Sequence, residues 1–173
     1  MKRIEIHESV HLAWNLANIE ACRSASPRIE PIHFLLATLI IIDGVFEEVA
    51  NAMKLPPEKI RGIFDIAAEC RSVLQMSDDD ITSARRKLRT LLHRNDSDEL
   101  TMLHRSGESR YIFQRAGRRT IEAGRDQLNL RDVFDEILDH MPPDARPLLS
   151  TRAKPPRKGV DEWPDYIVDE TRG

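Results

Sequence analysis

One residue pattern occurs twice in this chain at a fixed offset of 99 positions, and this repeat limits the possible folds more than any other feature. The first copy contains Val10, Trp14, Ala17, Ala21 and Ile29. The second copy needs no gap to align with it, and its corresponding residues are Ser109, Phe113, Ala116, Thr120 and Leu128. A helical unit this small cannot bury its apolar stripe alone. The two copies are therefore expected to pack together in one closed helical domain.

Composition agrees with one folded domain and a tail. The 173 residues are 40% hydrophobic and 32% charged, which is enough for a single core. The net charge of −3 comes from acidic and basic residues mixed along the chain. Without a field of one sign, we expect neither a nucleic-acid nor a membrane partner. Cys22 and Cys70 are interpreted as reduced core thiols of a cytoplasmic protein, although a bridge between them stays open.

The predicted fold class is all-α, a single-domain pseudo-duplicate over residues 1–149. Apolar spacing predicts a first repeat over about 6–75, a connecting helix over about 77–94, and a second repeat over about 108–149. The second repeat is predicted to be truncated, because prolines follow its second helix. Residues 150–173 are predicted as a linker-like tail, whose apolar end either folds back or docks on a partner.

Helix-start signals place both copies in the same register. Glu30 precedes Pro31, and a proline costs nothing at the first helical position. In the second copy Asn129 stands at the position of Glu30, and Asp132 nearly completes a capping box. The second helix of each repeat is therefore predicted to begin at equivalent positions.

With these residues in place, the chain resembles the amino-terminal domain of the Clp/Hsp100 family of protein-unfolding ATPases, a double repeat of four helices each. The resemblance rests on Ala17, Ala21 and Ile29 and on two runs. Residues 33–39 are similar to the family's His-Leu-Leu-Leu-x-x-Leu, and residues 44–49 are similar to its Gly-Val-Ala-x-x-Val. The resemblance covers about residues 10–70 and 108–141.

The resemblance implies recognition and no catalysis. In that family the domain binds substrate proteins or adaptors before the ATPase ring unfolds them. This chain lacks a Gly-x-x-x-x-Gly-Lys-Ser/Thr phosphate-binding loop, so a free-standing recognition domain without cofactor or metal is expected. The expected partners are protein or peptide clients, a Clp ATPase or its adaptor.

One departure from the family bears on the ligand. Members that recognise phosphorylated arginine carry a Thr-Glu pair just before the conserved His of each repeat. Here those positions hold Pro31 and Ile32 in the first copy and Leu130 and Arg131 in the second. Because the acidic residue is absent from both, that activity is not carried over. We predict that these four residues bind an apolar or acidic peptide segment, with Ile32 and Leu130 exposed beside Arg131.

A competing motif lies at the start of the first copy. His7-Glu8-Ser9-Val10-His11 matches the His-Glu-x-x-His pattern of zinc peptidases, which places two imidazoles one helical turn apart beside a glutamate that activates water. A third ligand and an upstream cleft-forming strand are not evident. A zinc metallopeptidase, or a protein that binds metal through His7 and His11, is therefore the first alternative function. A helical regulatory or structural protein unrelated to proteolysis is the second.

Overall fold

The computed structural model describes residues 2–92, 99–152 and 166–168. Within these residues the chain is mostly helical, so the predicted all-α class is confirmed. Seven α-helices lie in the described part: α1 Glu8–Arg23, α2 Pro31–Ile42, α3 Glu47–Ala52, α4 Pro57–Ser72, α5 Asp78–Leu92, α6 Gly107–Glu122 and α7 Leu130–Asp139. A short 3-10 helix, Arg146–Leu148, follows α7.

A small parallel sheet accompanies the helices. Strand β1, Lys2–Ile6, lies between β2, Gln127–Leu128, and β3, Tyr166–Val168. The first repeat is predicted to begin at about residue 6, but its first helix begins at Glu8, because Ile6 pairs with Leu128 in the sheet and His7 caps α1. Polar and apolar residues alternate from Arg3 to Ile6 of β1, and Ile4 is buried, as expected for a strand with one covered face.

Helix α2 forms the centre of the core. It packs against α1, α4, α5, α6 and α7, and ten of its twelve residues are buried. Phe34 contacts Phe113 of α6, with ring centroids 4.9 Å apart in an edge-to-face arrangement. The first copy therefore supplies a helix that both copies surround.

The first helices of the two copies end with equivalent hydrogen bonds. The N–H of Ser26 donates to the carbonyl of Ala21, and at the same offset Arg125 donates to Thr120. The residues before these donors, Ala25 and Gly124, both have positive φ, +54° and +77°. The two helices α1 and α6 therefore end in the same left-handed turn.

The copies also exchange backbone pairs. Ile29 of the first copy bridges Arg105, which precedes the second copy. Leu128 of the second copy pairs with Ile6, which precedes the first. The two pairs occupy equivalent positions, so the strand that leads into each copy is held by the other copy.

The tail begins later than the sequence indicated. Ser150, Thr151 and Arg152 are not linker, because they pair with the chain that follows α4: Gln75 donates to Ser150 over 2.8 Å and Arg152 donates to Val73 over 2.9 Å. Residues 166–168 fold back onto β1. The predicted linker of residues 153–159, the apolar Trp163 and the last two positions of the predicted 77–94 helix lie outside the described residues. Both cysteines are buried and free, so no bridge joins them.

Candidate functional site

Two of the four predicted partner-binding residues lie inside the protein. Leu130 is 1% exposed, and its N–H donates to the Ser9 hydroxyl over 3.0 Å. Pro31 is also buried, in the first turn of α2. The expectation that Leu130 is exposed is wrong, because the first turn of α7 docks against the start of α1.

The other two predicted residues are half-buried. Ile32 packs against the core. Arg131 joins two elements, since its Nε donates to Asp135 over 3.2 Å and its guanidinium donates to the Glu69 carbonyl over 3.1 Å. A role for these four residues in partner binding stays a prediction.

The His7–His11 motif begins at a helix cap. His7 is the N-cap of α1, where its Nδ1 accepts the Ser9 N–H over 3.1 Å and lies 2.8 Å from the Ser9 hydroxyl. Its Nε2 lies 3.3 Å from Glu8, whose other oxygen lies 3.3 Å from Lys59. Residues 2–92, 99–152 and 166–168 contain no group of three or more His, Cys, Asp or Glu side chains arranged to hold a metal.

Glu8 and His11 line a cleft of about 640 Å³ between β1 and helices α1 and α4. Burial favours the neutral form of Glu8, but hydrogen bonds from its own backbone and from Lys59 outweigh this and lower its pKa on balance. Burial also lowers the pKa of His11, although Glu8 opposes that shift. His11 is therefore favoured as a neutral imidazole.

A second cleft, of about 590 Å³, has an apolar rim that the sequence did not reveal. It lies between α1, the chain around α3, and the 100–102 segment, and we call it the apolar groove. Three rim residues are strongly exposed: Val45 at 55%, Leu100 at 60% and Met102 at 80%. Further lining residues include Leu16, Ile19, Ile40 and Val49 from the helices, Met53 at the end of α3, and Arg23, Glu48 and Arg89.

Polar contacts fix the walls of the apolar groove. The Asn18 side-chain amide donates to the Thr101 carbonyl over 2.8 Å and accepts the Leu103 N–H over 2.9 Å. Arg89 donates to the buried Glu20 over 2.7 Å, which attaches α5 to α1. The Leu100 and Met102 side chains are therefore presented by a segment whose backbone is held in place.

The basic side chains of α6 are largely paired within the fold. Arg118 forms an ion pair with Glu122, and Arg119 with Glu136. Arg125 lies beyond the helix and pairs with Asp132, and hydrogen bonding to that carboxylate raises the pKa of Arg125. The positive charges of Arg118, Arg119 and Arg125 are therefore compensated by carboxylates of the same chain.

In the part of the chain that the structure describes, none of the helices combines the length and apolar character needed to cross a membrane. Comparison with protein-family models, with curated proteins and with solved structures gave no match.

Proposed function

We propose that this protein is a non-catalytic protein-interaction module that binds a peptide segment of its partner in the apolar groove. The observation that carries the proposal is the grouping of Val45, Leu100 and Met102 around one cleft, each more than half exposed. Exposed apolar side chains that rim a concave surface are a recognised mark of an interaction site. A flexible methionine on the rim adapts to different apolar ligands.

The proposed occupant is a peptide with two or three apolar side chains and a neighbouring acidic group. The apolar side chains would pack on Ile19, Val49 and Met102. The acidic group would pair with Arg23, an exposed residue of the last turn of α1, where the helix dipole favours the arginine cation. Such a segment suits client recognition, with a Clp ATPase or its adaptor as the proposed larger partner.

The proposal is tested with a library of random 12-residue peptides displayed on phage and selected on the immobilised full chain. Selected sequences are resynthesised, and their affinity is measured by fluorescence anisotropy. Met102→Asp is expected to weaken binding at least about tenfold, because it places a charge where an apolar contact was. Arg23→Glu is expected to weaken the peptides that carry acidic residues.

Leu91→Asp is the matched control. Leu91 is 53% exposed, close to the 55% of Val45, but it does not line the apolar groove, so this change should leave affinity unaltered. Arg131→Ala tests the surface predicted from sequence. If Arg131→Ala abolishes peptide binding while Met102→Asp does not, the contact surface is the one at the helix starts and the groove proposal is wrong.

The Clp connection has its own test. Purified Clp ATPase from the same organism is passed over the immobilised chain, with and without the selected peptide. Binding that Met102→Asp removes supports a role in client delivery. Peptide binding without any binding of the ATPase supports instead the helical regulatory protein unrelated to proteolysis.

A further inference from the structure

One difference between the two copies concerns the extended segment that precedes the first helix of each. At one pair of equivalent positions, the first copy has Asn18 on α1 and the second copy has Gly117 on α6. Gly117 is buried and contributes no side chain. The strand segments near these positions are equivalent as well, since β1 corresponds to the 101–105 segment.

Asn18 completes the hydrogen bonding of the 101–105 segment. Its carboxamide donates to the Thr101 carbonyl and accepts the Leu103 N–H, at 2.8 and 2.9 Å. In a parallel sheet, one residue of the neighbouring strand makes the same pair of bonds through its own N–H and C=O. The Asn18 side chain therefore takes the place of a strand along this edge.

The corresponding edge of β1 is covered by β3 instead. Glu5 and His7 direct their N–H groups to β2, bonding Asp126 and Leu128 at 2.9 and 2.8 Å. Because backbone groups alternate along a strand, Lys2 and Ile4 direct theirs to the opposite side. The register Arg3↔Ile167 places the backbone of Ile167 opposite the Lys2 carbonyl and the Ile4 N–H.

The backbone of Ile167 therefore occupies the position beside β1 that the Asn18 side chain occupies beside the 101–105 segment. Helix α6, which carries Gly117, packs against β3. We propose that the space between β1 and α6 beside Gly117 is a strand-docking slot for an extended peptide parallel to β1, in which β3 of the same chain is an exchangeable occupant. This second site is distinct from the apolar groove and independent of the proposed function.

The slot needs an occupant for a physical reason. Without β3, the Ile4 N–H and the Lys2 carbonyl would have no strand partner, and no side chain extends from position 117 to replace it. Thirteen residues connect Arg152 to Tyr166, and a tether raises the local concentration of the segment it carries. Attachment to the same chain therefore favours docking within one molecule.

The first test uses amide hydrogen exchange on the full chain. Ile167→Pro removes the donor that faces the Lys2 carbonyl, and proline is poorly accepted in a paired strand. Exchange at the Ile4 amide should accelerate about tenfold or more, because this amide depends on β3. Exchange at Glu5 and His7, which bond β2, should change much less. Equal exchange at Ile4 in both proteins would overturn the proposal.

The second test supplies the strand in trans. A labelled peptide with the sequence of residues 162–173 is titrated into the full-length Ile167→Pro chain, and anisotropy reports binding. Binding should be at least about tenfold tighter than to the unchanged chain, whose slot is filled. Adding Gly117→Asn should abolish binding, because the new carboxamide reaches the same two backbone groups.

Helical circular dichroism checks that the Gly117→Asn chain folds, and the exchange measurement stands without this variant. Two outcomes count against the proposal. One is equal peptide binding with glycine or asparagine at position 117. The other is a dimer of the unchanged chain whose Ile4 amide loses protection on dilution, since the occupant would then come from a second copy.

Discussion

The buried charged side chain of Glu136 is neutralised by side chains of opposite charge. Its side chain is fully buried, with Arg119 Nε 2.5 Å from one oxygen and Arg115 Nε 3.1 Å from the other. Burial acts to lower the pKa of Arg115, but the hydrogen bond and charge of Glu136 outweigh it and raise the pKa on balance. The equivalent residue of the first copy is the buried Ala37. The two copies therefore fill equivalent buried positions with an apolar residue in one case and an ion-paired carboxylate in the other.

Glu136→Ala is expected to lower the free energy of unfolding by about 3 kcal/mol, because it removes the buried carboxylate that pairs with both Arg115 and Arg119. Urea unfolding followed by circular dichroism measures the change. Glu122→Ala is the control, since the Arg118–Glu122 pair is a more exposed pair within one helix and is worth at most about 0.5 kcal/mol. Similar losses in both variants would show that burial of Glu136 adds nothing.

His11 predicts a pH dependence of stability. Burial lowers its pKa from 6.5. Just below that pH, His11 is therefore protonated more fully in the unfolded chain than in the folded chain. Stability should therefore fall as pH decreases through 6.5 and continue to fall until the folded-state pKa is passed. His11→Gln should flatten the profile between pH 7.5 and about 5.5, above the range in which Glu8 titrates.

Urea midpoints measured at several pH values test this prediction. His104→Gln is the control, because it removes an exposed imidazole from the 99–106 connection. An unchanged slope in the His11→Gln variant would assign the pH dependence to other groups.

At the scale of elements, the helix ends show how the two copies keep one geometry with different residues. Both capping boxes are present, Glu30 with His33 and Asn129 with Asp132. At the other end, α1 is followed by Ala25 and α6 by Gly124, both with positive φ. A left-handed turn costs alanine about 1 kcal/mol and glycine almost nothing. The first copy therefore carries strain that the second avoids.

Reciprocal substitutions test this difference. Gly124→Ala should destabilise the protein by about 1 kcal/mol through φ alone, because an added Cβ would meet no atom within 4 Å. Ala25→Gly should stabilise it by about 0.5 kcal/mol, since relief of strain exceeds the entropy that glycine adds to the unfolded chain. Thermal unfolding measures both, and the same sign for the two changes would contradict the argument.

Local signals explain what could be predicted from sequence at this scale. The helices follow from apolar spacing, and the starts of α2 and α7 follow from Glu30, Pro31 and Asn129. The strand β1 could not be predicted, because its partner Leu128 is far away along the chain. The burial of Leu130 could not be predicted for the same reason, because Ser9, which accepts its N–H, lies in the other copy.

The apolar groove also escaped prediction. Leu100 and Met102 stand in a segment of polar composition, and only the fold places them beside Val45. The available signal was a short group of apolar residues, Leu100, Met102 and Leu103, in a polar stretch.

In the whole molecule, the copies meet at equivalent residues. Trp14 of α1 and Phe113 of α6 occupy the same position in the repeat, and their ring centroids lie 5.2 Å apart. The Arg105 guanidinium lies 4.5 Å from the Trp14 ring and 4.8 Å from the Phe113 ring. Burial, with a smaller contribution from Arg110, lowers the pKa of Arg105 to about 10. Together with the exchanged strand pairs, this centre makes each copy part of the other's core.

Phe113→Ala should therefore destabilise both copies equally. Removing a buried ring that contacts Trp14 and Phe34 is expected to cost about 3–5 kcal/mol. Native-state hydrogen exchange compares the slowest amides of α2 and α7, one helix from each copy. If the molecule unfolds as one unit, both sets lose the same free energy of protection.

Phe64→Ala is the control, because Phe64 is half exposed and contacts Phe46 within the first copy. It should cost much less, while any global loss would again be equal in α2 and α7. Loss of protection in α7 alone after Phe113→Ala would mean that the copies unfold separately. The second copy, which is too small to bury its apolar stripe alone, would then need a source of stability other than the first copy. The reciprocal pairs, Ile29 with Arg105 and Ile6 with Leu128, would then be a consequence of folding and not its cause.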